Sequence, residues 1–384
     1  MARFLFITWH GGGNVPPAVG IAQELIARGH TVTFAGYESQ RQRIMDRGFP
    51  FTCIDTRNWM DLPLEQRLSG MLNQVLVCPD HLRQVPELVT REPVDAVIVD
   101  CMMSIALVAV ENLNLPYAIL IHTIPGCFAP GDPFDQYFLD SINAIRVQVG
   151  RPVVSSSWEA WSRAPCICAT IPELDPLAGQ VPPSYHYVGP VFERVPPSGW
   201  QSPWPPDDLR PLVLVSFSTH DQWDESTRIN RTLQALPSDY YRVLVTSSMA
   251  EIDRIIKPEN AVVTPYLPHR EVLPLVKIAV IHAGHGTVTS CLAHGVPMIC
   301  LPNPYSDQAM LAAQVEALGA GLALDGDNAT VDDIAHAIKR VMSDPSYFTA
   351  AKRLADSIMA TRSGEQAASM LEQLAWAGLG KKAV

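Results

Sequence analysis

A proline-rich segment divides this 384-residue chain near its middle. Eight of the 33 prolines fall between positions 182 and 206. Because proline fixes φ and lacks a backbone N–H, this density suppresses helices and strands and favours an extended linker. The length suits two cores of roughly 150 to 200 residues each. We therefore predict an N-terminal domain over 1–195, a linker over 196–210 and a second domain over 211–364.

The first half alternates apolar strand candidates with helical segments. Residues 4–8, 94–99 and 118–121 are predominantly apolar runs, as expected for strands that are buried on both faces. After the first run, apolar residues recur at helical spacing until Gly29, which stands where helices commonly end, and a further strand candidate follows at 31–35. This alternation predicts βαβ units and a parallel sheet.

The second half repeats the pattern. Its strand candidates lie at 212–216, 241–246, 261–264, 278–281 and 297–301. The predicted fold class is therefore α/β, with two doubly wound, Rossmann-like parallel-sheet domains. Ligands of such sheets bind beyond the carboxyl ends of the strands, so we expect an active site between the domains. The tail, 365–384, has the composition of a helix. One arrangement open to this helix is to pack back on the N-terminal domain.

Charge and cysteine content exclude several classes of protein. The chain has 28 Lys and Arg against 39 Asp and Glu, a net charge of −11, which argues against a nucleic-acid surface. No apolar run suits a membrane span, and the apolar stretch at the N-terminus is too short for a signal peptide. The eight cysteines show no paired zinc-site spacing, so we expect reduced thiols, no metal site and a cytoplasmic location.

A glycine-rich turn between a strand and a helix predicts a phosphate site. The sequence His282-Ala283-Gly284-His285-Gly286-Thr287 follows the strand candidate at 278–281. Glycines let backbone N–H groups approach an anion, the helix N-terminus adds a favourable dipole, and Thr287 can donate its hydroxyl. His282 and His285 are also spaced as a metal pair, but no third ligand is evident. Asp307 and Gln308 follow the next strand, on a loop that can bond sugar hydroxyls.

These blocks resemble the UDP-glycosyltransferases of glycosyltransferase family 1, which have the GT-B architecture. Several matching segments occur in the family's order over about 60 residues, which is far more specific than a lone glycine loop. The resemblance extends to the first βαβ unit and to Val188-Gly189-Pro190. The matching segments are Tyr266-Leu267-Pro268-His269 with Leu273, His282 to Thr287, His294-Gly295-Val296-Pro297, Asp307-Gln308 and Leu318-Gly319-Ala320-Gly321.

The resemblance implies a donor site in the second half. It implies inverting transfer of a sugar from a UDP- or dTDP-sugar, which is a co-substrate, without a cofactor or a metal. His282 and Thr287 would contact the diphosphate, Tyr266 would lie under the base, and Asp307 with Gln308 would hold the sugar. The remaining donor-site residues that it implies are Ser218, Thr219, His269, Gly284, His285 and Gly286.

The resemblance also implies that the first half lacks the family's usual catalytic base. Asn14 stands where the family carries the histidine that deprotonates the acceptor, and an amide cannot take up that proton. His10 in the same loop is one substitute. Asp100, which matches the aspartate that orients the family's histidine, is another, as are Asp132 and Asp135. Alternatively, an acidic acceptor needs little base assistance.

The acceptor side is predicted from apolar residues of the first half, which commonly line pockets for flat molecules. We expect a small lipophilic acceptor such as a polyketide, macrolide or phenolic, and a monomer or homodimer. The alternatives are a base-deficient binding or auxiliary protein and another GT-B enzyme such as a nucleotide-sugar epimerase. The candidate acceptor residues are Trp9, Trp59, Met102, His122 and Phe128.

Overall fold

The computed structural model describes residues 1–217, 225–247, 252–303 and 307–382. The chain forms two compact units, Met1–Val195 together with Thr361–Val384, and Pro196–Ala360. Each unit contains one parallel sheet, so the predicted α/β class with two parallel-sheet domains is confirmed. None of the helices within the described ranges combines the length and the apolar character that crossing a membrane demands.

Unit 1 is built around seven parallel strands in the order β3-β2-β1-β4-β5-β6-β7. Its elements up to residue 187 are β1 (Arg3–Ile7), α1 (Val15–Ala27), β2 (Thr31–Tyr37), α2 (Arg41–Met45), β3 (Phe51–Asp55), α3 (Leu64–Met71), α4 (His81–Arg91), β4 (Ala96–Asp100), α5 (Ser104–Glu111), β5 (Tyr117–Ile121), α6 (Pro133–Gln148), α7 (Ser157–Trp161), β6 (Cys166–Cys168) and β7 (Tyr185–Tyr187).

Unit 2 is built around six parallel strands in the order β10-β9-β8-β11-β12-β13. Its elements are β8 (Leu212–Ser216), α8 (Glu225–Gln234), β9 (Arg242–Thr246), β10 (Ala261–Thr264), α9 (His269–Val272), β11 (Val276–Ile281), α10 (His285–Ala293), β12 (Met298–Cys300), α11 (Asp307–Ala317), β13 (Gly321–Ala323), α12 (Val331–Ser343) and α13 (Pro345–Ala360). The proline-rich residues 196–210 contain neither helix nor strand and belong to this unit.

Both sheets reverse their strand order at the centre, between β1 and β4 in unit 1 and between β8 and β11 in unit 2. The central strands are mainly apolar because helices or loops cover both faces, and β4 and β8 are buried along their full length. Loops that leave the carboxyl ends at such a reversal diverge, which opens space for a ligand. The residues that follow β1, β4, β8 and β11 are therefore the ones that the fold places for binding.

The end of the chain returns to unit 1 as α14 (Ser363–Lys382). Leu371 and three alanines of this helix, Ala367, Ala368 and Ala375, lie in one apolar cluster with β1 and α1. Arg28, just after α1, and His30 pair with the Glu372 carboxylate at 2.9 Å and 2.8 Å. The C-terminal helix is thus part of the core of unit 1.

Candidate functional site

The glycine-rich turn of unit 2 lies where β11 passes into α10. Gly284 is the N-cap residue of α10, and Gly295, with φ of +66°, follows its end. Ala283 has φ of +62°, a left-handed conformation that costs a residue with a Cβ roughly 1–3 kcal/mol and is concentrated at functional turns. The first N–H groups of a helix have no intrahelical acceptor, so this turn offers the donors that an anion needs.

His282 is held over this turn by a backbone carbonyl group at the end of β8. Its Nδ1 lies 3.3 Å from the carbonyl oxygen of Ser216, at the end of β8. A carbonyl oxygen only accepts, so Nδ1 must carry the proton of this bond. A Cβ added to Gly284 would lie 2.2 Å from His282 Nε2. Glycine is required at 284 because the imidazole occupies that space, next to the start of α10.

His269, in the first turn of α9, joins the same cluster. Its Nε2 lies 3.4 Å from Ser216 Oγ and 3.2 Å from Thr246 Oγ1, at the ends of β8 and β9. Burial lowers the pKa of His269 to about 4, so the ring is neutral at pH 7. Ser216 therefore connects two histidines, one through its hydroxyl and one through its carbonyl. In this arrangement His269 supports the strand ends and contributes no charge.

The other donor-site residues of the sequence prediction are dispersed around the strand ends. The side chain of Tyr266 is 64% exposed, which leaves a ring face for stacking. Gln308 is buried, and its Oε1 accepts a hydrogen bond from the Asn303 N–H at 3.1 Å. Asp307 begins α11, and Gly286 and Thr287 lie in the first turn of α10. Ser218 and Thr219 lie outside the described residues.

The sequence patterns did not indicate Arg228, a buried arginine that contacts Asn303. The Arg228 guanidinium bonds Asn303 Oδ1 and lies 2.5 Å from Asp327 Oδ1. Asn303 in turn binds Gln308 through its backbone. Arg228 therefore holds the Asn303 side chain, and nothing in the local sequence signals a contact between residues 75 positions apart.

A second cluster lies in unit 1 at the end of β4. Asp100 is buried, and its Oδ1 accepts hydrogen bonds from Trp9 Nε1 and from the Met102 N–H, both at 3.0 Å. Its Oδ2 lies 2.9 Å from Nδ1 of His122, which follows β5. The Trp9 indole, which follows β1, therefore contacts Asp100. It is buried and does not line an open pocket.

Asn14, at the position of the missing base, has a structural role in the loop after β1. It is fully buried. Its Oδ1 accepts from the Gly11 N–H at 3.2 Å and its Nδ2 donates to the Trp9 carbonyl oxygen at 2.9 Å. Gly11 is required because a Cβ there would lie 2.6 Å from the Trp9 ring. Both ends of the Asn14 amide are therefore used to hold this loop over Trp9.

The remaining residues predicted in unit 1 differ in their surroundings. Trp59 and Phe128 are buried, and Phe128 packs edge-on against Trp161 with ring centroids 5.0 Å apart. Asp135 is buried and accepts a hydrogen bond from the Ser157 N–H at 2.7 Å. His10, Met102 and Asp132 are half-buried. Trp59, Phe128 and Asp135 are therefore buried residues of unit 1 and are not assigned to the candidate site.

Two clusters of described residues bring metal-ligand types within 4.8 Å of one another, Asp55 with Cys78 and Asp80, and Asp100 with Cys101 and His122. In the first, the Arg57 guanidinium lies 2.5 Å from Asp55, 2.7 Å from Asp80 and 3.2 Å from Cys78, so a cation is already there.

The second cluster is better described as a close pair of Asp100 and His122, with Oδ2 and Nδ1 2.9 Å apart, than as a metal site. Burial, reinforced by the Asp100 carboxylate, raises the pKa of the Cys101 thiol. The thiolate, which is the form that binds metals, is therefore disfavoured.

Comparisons with known proteins find relatives that match nearly the whole chain. Residues 239–374 match the family model of the erythromycin biosynthesis protein CIII-like C-terminal domain. The 4'-demethylrebeccamycin synthase of Lentzea aerocolonigenes is 26% identical over 97% of this chain and 99% of its own.

Two solved structures share the fold. The crystal structure of the glycosyltransferase of kitacinnamycin has a TM-score of 0.78 at 22% identity, over 97% of this chain and 99% of its own. The glycosyltransferase VinC in complex with dTDP has a TM-score of 0.71 at 18% identity, over 97% and 99%. The comparisons favour the predicted glycosyltransferase over an auxiliary protein or an epimerase. Over nearly its whole length, the chain is therefore similar to family 1 glycosyltransferases of the GT-B type.

Proposed function

We propose that this enzyme transfers a sugar from a UDP- or dTDP-sugar to a hydroxyl group of a small lipophilic acceptor, with inversion at the anomeric carbon. The observation that carries the proposal is the position of His282, which is anchored on Ser216 O and lies over Gly284 at the start of α10. The acceptor class is inferred from relatives whose names refer to rebeccamycin and kitacinnamycin. The presence of dTDP in the VinC structure supports dTDP as one nucleotide to test.

The proposed chemistry is a direct displacement. The acceptor oxygen forms a bond to the anomeric carbon while the bond from that carbon to the diphosphate oxygen breaks. Negative charge then accumulates on the leaving diphosphate, and donors that are already oriented stabilise it most effectively. His282 Nε2, the Thr287 hydroxyl and the N–H groups of the first turn of α10 would supply those donors. This set explains why the proposal needs neither a metal ion nor a cofactor.

Location and environment belong to the same proposal. All eight cysteines are free thiols, and seven of them are buried. Cysteines persist in this form in reducing compartments. We therefore propose a cytoplasmic enzyme, acting as a monomer or a homodimer.

Substitution of His282 by alanine tests the donor site. We expect UDP and dTDP to bind roughly 10- to 100-fold more weakly, because hydrogen bonds to charged groups contribute about 1.5–3 kcal/mol. Isothermal titration calorimetry measures this directly. The exposed His336 on α12 gives a matched control, His336→Ala, which should bind both nucleotides as the wild type does. Equal affinities in the wild type and His282→Ala would contradict the assignment.

Nucleotide binding should also take up a proton. Since Nδ1–H of His282 already donates to Ser216 O, Nε2 can donate to a phosphate oxygen only when the ring is protonated. The complex then holds one proton more than the free protein, so affinity falls as pH rises through the range in which histidine titrates. Calorimetry in buffers with different ionisation enthalpies measures the uptake. The difference between wild type and His282→Ala removes the contribution of the nucleotide itself, and identical uptake would refute this link.

A further inference from the structure

His122 and Asp100 are brought together by the pairing of two strands. Strands β4 and β5 are parallel, with Asp100 opposite Leu120, so His122 emerges two residues beyond the partner of Asp100. Both residues therefore stand at the carboxyl edge of the sheet, next to the strand-order reversal between β1 and β4. This is the edge at which parallel sheets place their ligand contacts.

The surroundings of Asp100 fix how the two side chains interact. Its Oδ1 accepts from the Trp9 indole and the Met102 backbone, both of which are neutral donors. Among the described residues, His122 Nδ1 is the one ionisable donor within ion-pairing distance of Oδ2, at 2.9 Å. The Asp100 side chain is fully buried, whereas that of His122 is 15% exposed. The imidazole thus connects a buried carboxylate to the surface of unit 1.

We propose that His122 is the general base of this enzyme and that Asp100 is its positioning residue. The inference rests on the proposed function and assigns the role that Asn14 cannot perform. When Nδ1, which lies 2.9 Å from Asp100 Oδ2, carries the ring proton, the neutral ring has its basic lone pair on Nε2. Nε2 takes the proton of the acceptor hydroxyl as its oxygen bonds to the anomeric carbon and the diphosphate departs. Asp100 stabilises the resulting imidazolium, which then returns its proton to water.

The neighbouring groups do not compete for this role. The Cys101 Sγ lies 3.9 Å from His122 Nδ1, but its thiol is kept neutral by burial. The loop after β1 reaches the Asp100 carboxylate through the Trp9 indole, whose Nε1–H donates to Oδ1. Asp135 is buried against the backbone of Ser157.

The titration of His122 tests the pair without any acceptor. In histidine-labelled protein, the NMR titration midpoint assigned to His122 should move to lower pH in Asp100→Asn, since the amide no longer favours the charged ring. The resonance is assigned by its loss in His122→Gln. The exposed His186 of β7 serves as internal reference, and its midpoint should stay constant. An unchanged His122 midpoint would overturn the pairing.

Transfer kinetics test the base itself. Using an acceptor that the wild type glycosylates, we expect His122→Gln to lower kcat about 10²- to 10⁴-fold, the usual contribution of a general base. The KM for the nucleotide sugar should change little, and nucleotide binding by calorimetry reports that the variant is folded. The loss should be larger with 4-nitrobenzyl alcohol than with the more acidic 4-nitrophenol. The control His186→Gln should retain most of the activity, and the loss in His10→Gln should be smaller than that in His122→Gln.

Three results would overturn the inference: near-normal kcat in His122→Gln, a larger loss in His10→Gln, or a stoichiometric bound metal whose removal abolishes activity and disturbs the His122 resonance. Failure of the proposed function is distinguishable from these results. In that case the wild type itself transfers no sugar to any acceptor, while the NMR comparison still decides whether His122 and Asp100 are paired.

Discussion

Replacing Gly284 with alanine is expected to weaken nucleotide binding severely while leaving the fold intact. The backbone at this position, with φ of −63° and ψ of 138°, suits any residue, so the substitution causes no backbone strain. The added Cβ would instead lie 2.2 Å from His282 Nε2 and expel the imidazole from its place over α10. The methyl group would also keep the phosphate from the first N–H groups of the helix. The loss should therefore exceed that of His282→Ala, by more than tenfold in Kd.

A double-mutant cycle separates the two components of this loss. In the His282→Ala background, Gly284→Ala no longer displaces an imidazole, so its further effect should be much smaller than in the wild type. Gly179→Ala is the control, because a Cβ there meets no atom within 4 Å. Fully additive losses, or normal binding by Gly284→Ala, would show that His282 and Gly284 do not form one site.

Truncating Leu371 should be among the most destabilising single changes in unit 1. The side chain is 1% exposed and lies in the same apolar cluster as β1 and α1, although it belongs to the last helix of the chain. Leucine-to-alanine changes in cores lower the free energy of unfolding by about 2–5 kcal/mol. Because the protein has two units, hydrogen exchange of α1 peptides measures this loss more directly than a single melting temperature.

The same helix offers a control for this experiment. Trp376 is 53% exposed, so Trp376→Ala should change the exchange of α1 little. Peptides from β8 and β11 in unit 2 should be unaffected by either variant. If Leu371→Ala protected α1 as well as the wild type does, the C-terminal helix would not be part of this core.

The fold was predictable where strands are long and apolar. The central strands β1, β4, β5, β8 and β11 were all predicted, because burial on both faces leaves continuous apolar runs. The predictions omitted β6, β7 and β13, which have only three residues each, and the half-buried edge strand β3. Such strands are defined by pairing with a neighbour and not by a local pattern, so the sequence alone carries little signal for them.

In the candidate sites, features made by neighbouring residues were predictable from the sequence, whereas features made by residues far apart in the chain were not. The turn at His282 was recognisable because its glycines, helix start and preceding strand are contiguous. The pair of Asp100 and His122 depends on the register of β4 with β5, and the contact of Arg228 with Asn303 joins residues far apart in the chain. Trp59 and Phe128 resemble pocket residues by type alone, and only burial assigns them to the core.

The most direct test of the central claim is sugar transfer itself. The purified protein would be incubated with UDP- and dTDP-sugars and a panel of phenols, polyketide aglycones and macrolides. The masses of the products would then be measured by mass spectrometry. The account predicts an acceptor heavier by one sugar residue, an equal amount of released nucleoside diphosphate, and loss of both in His282→Ala. Nucleotide binding without transfer to any acceptor, or conversion of the donor when no acceptor is present, would contradict it.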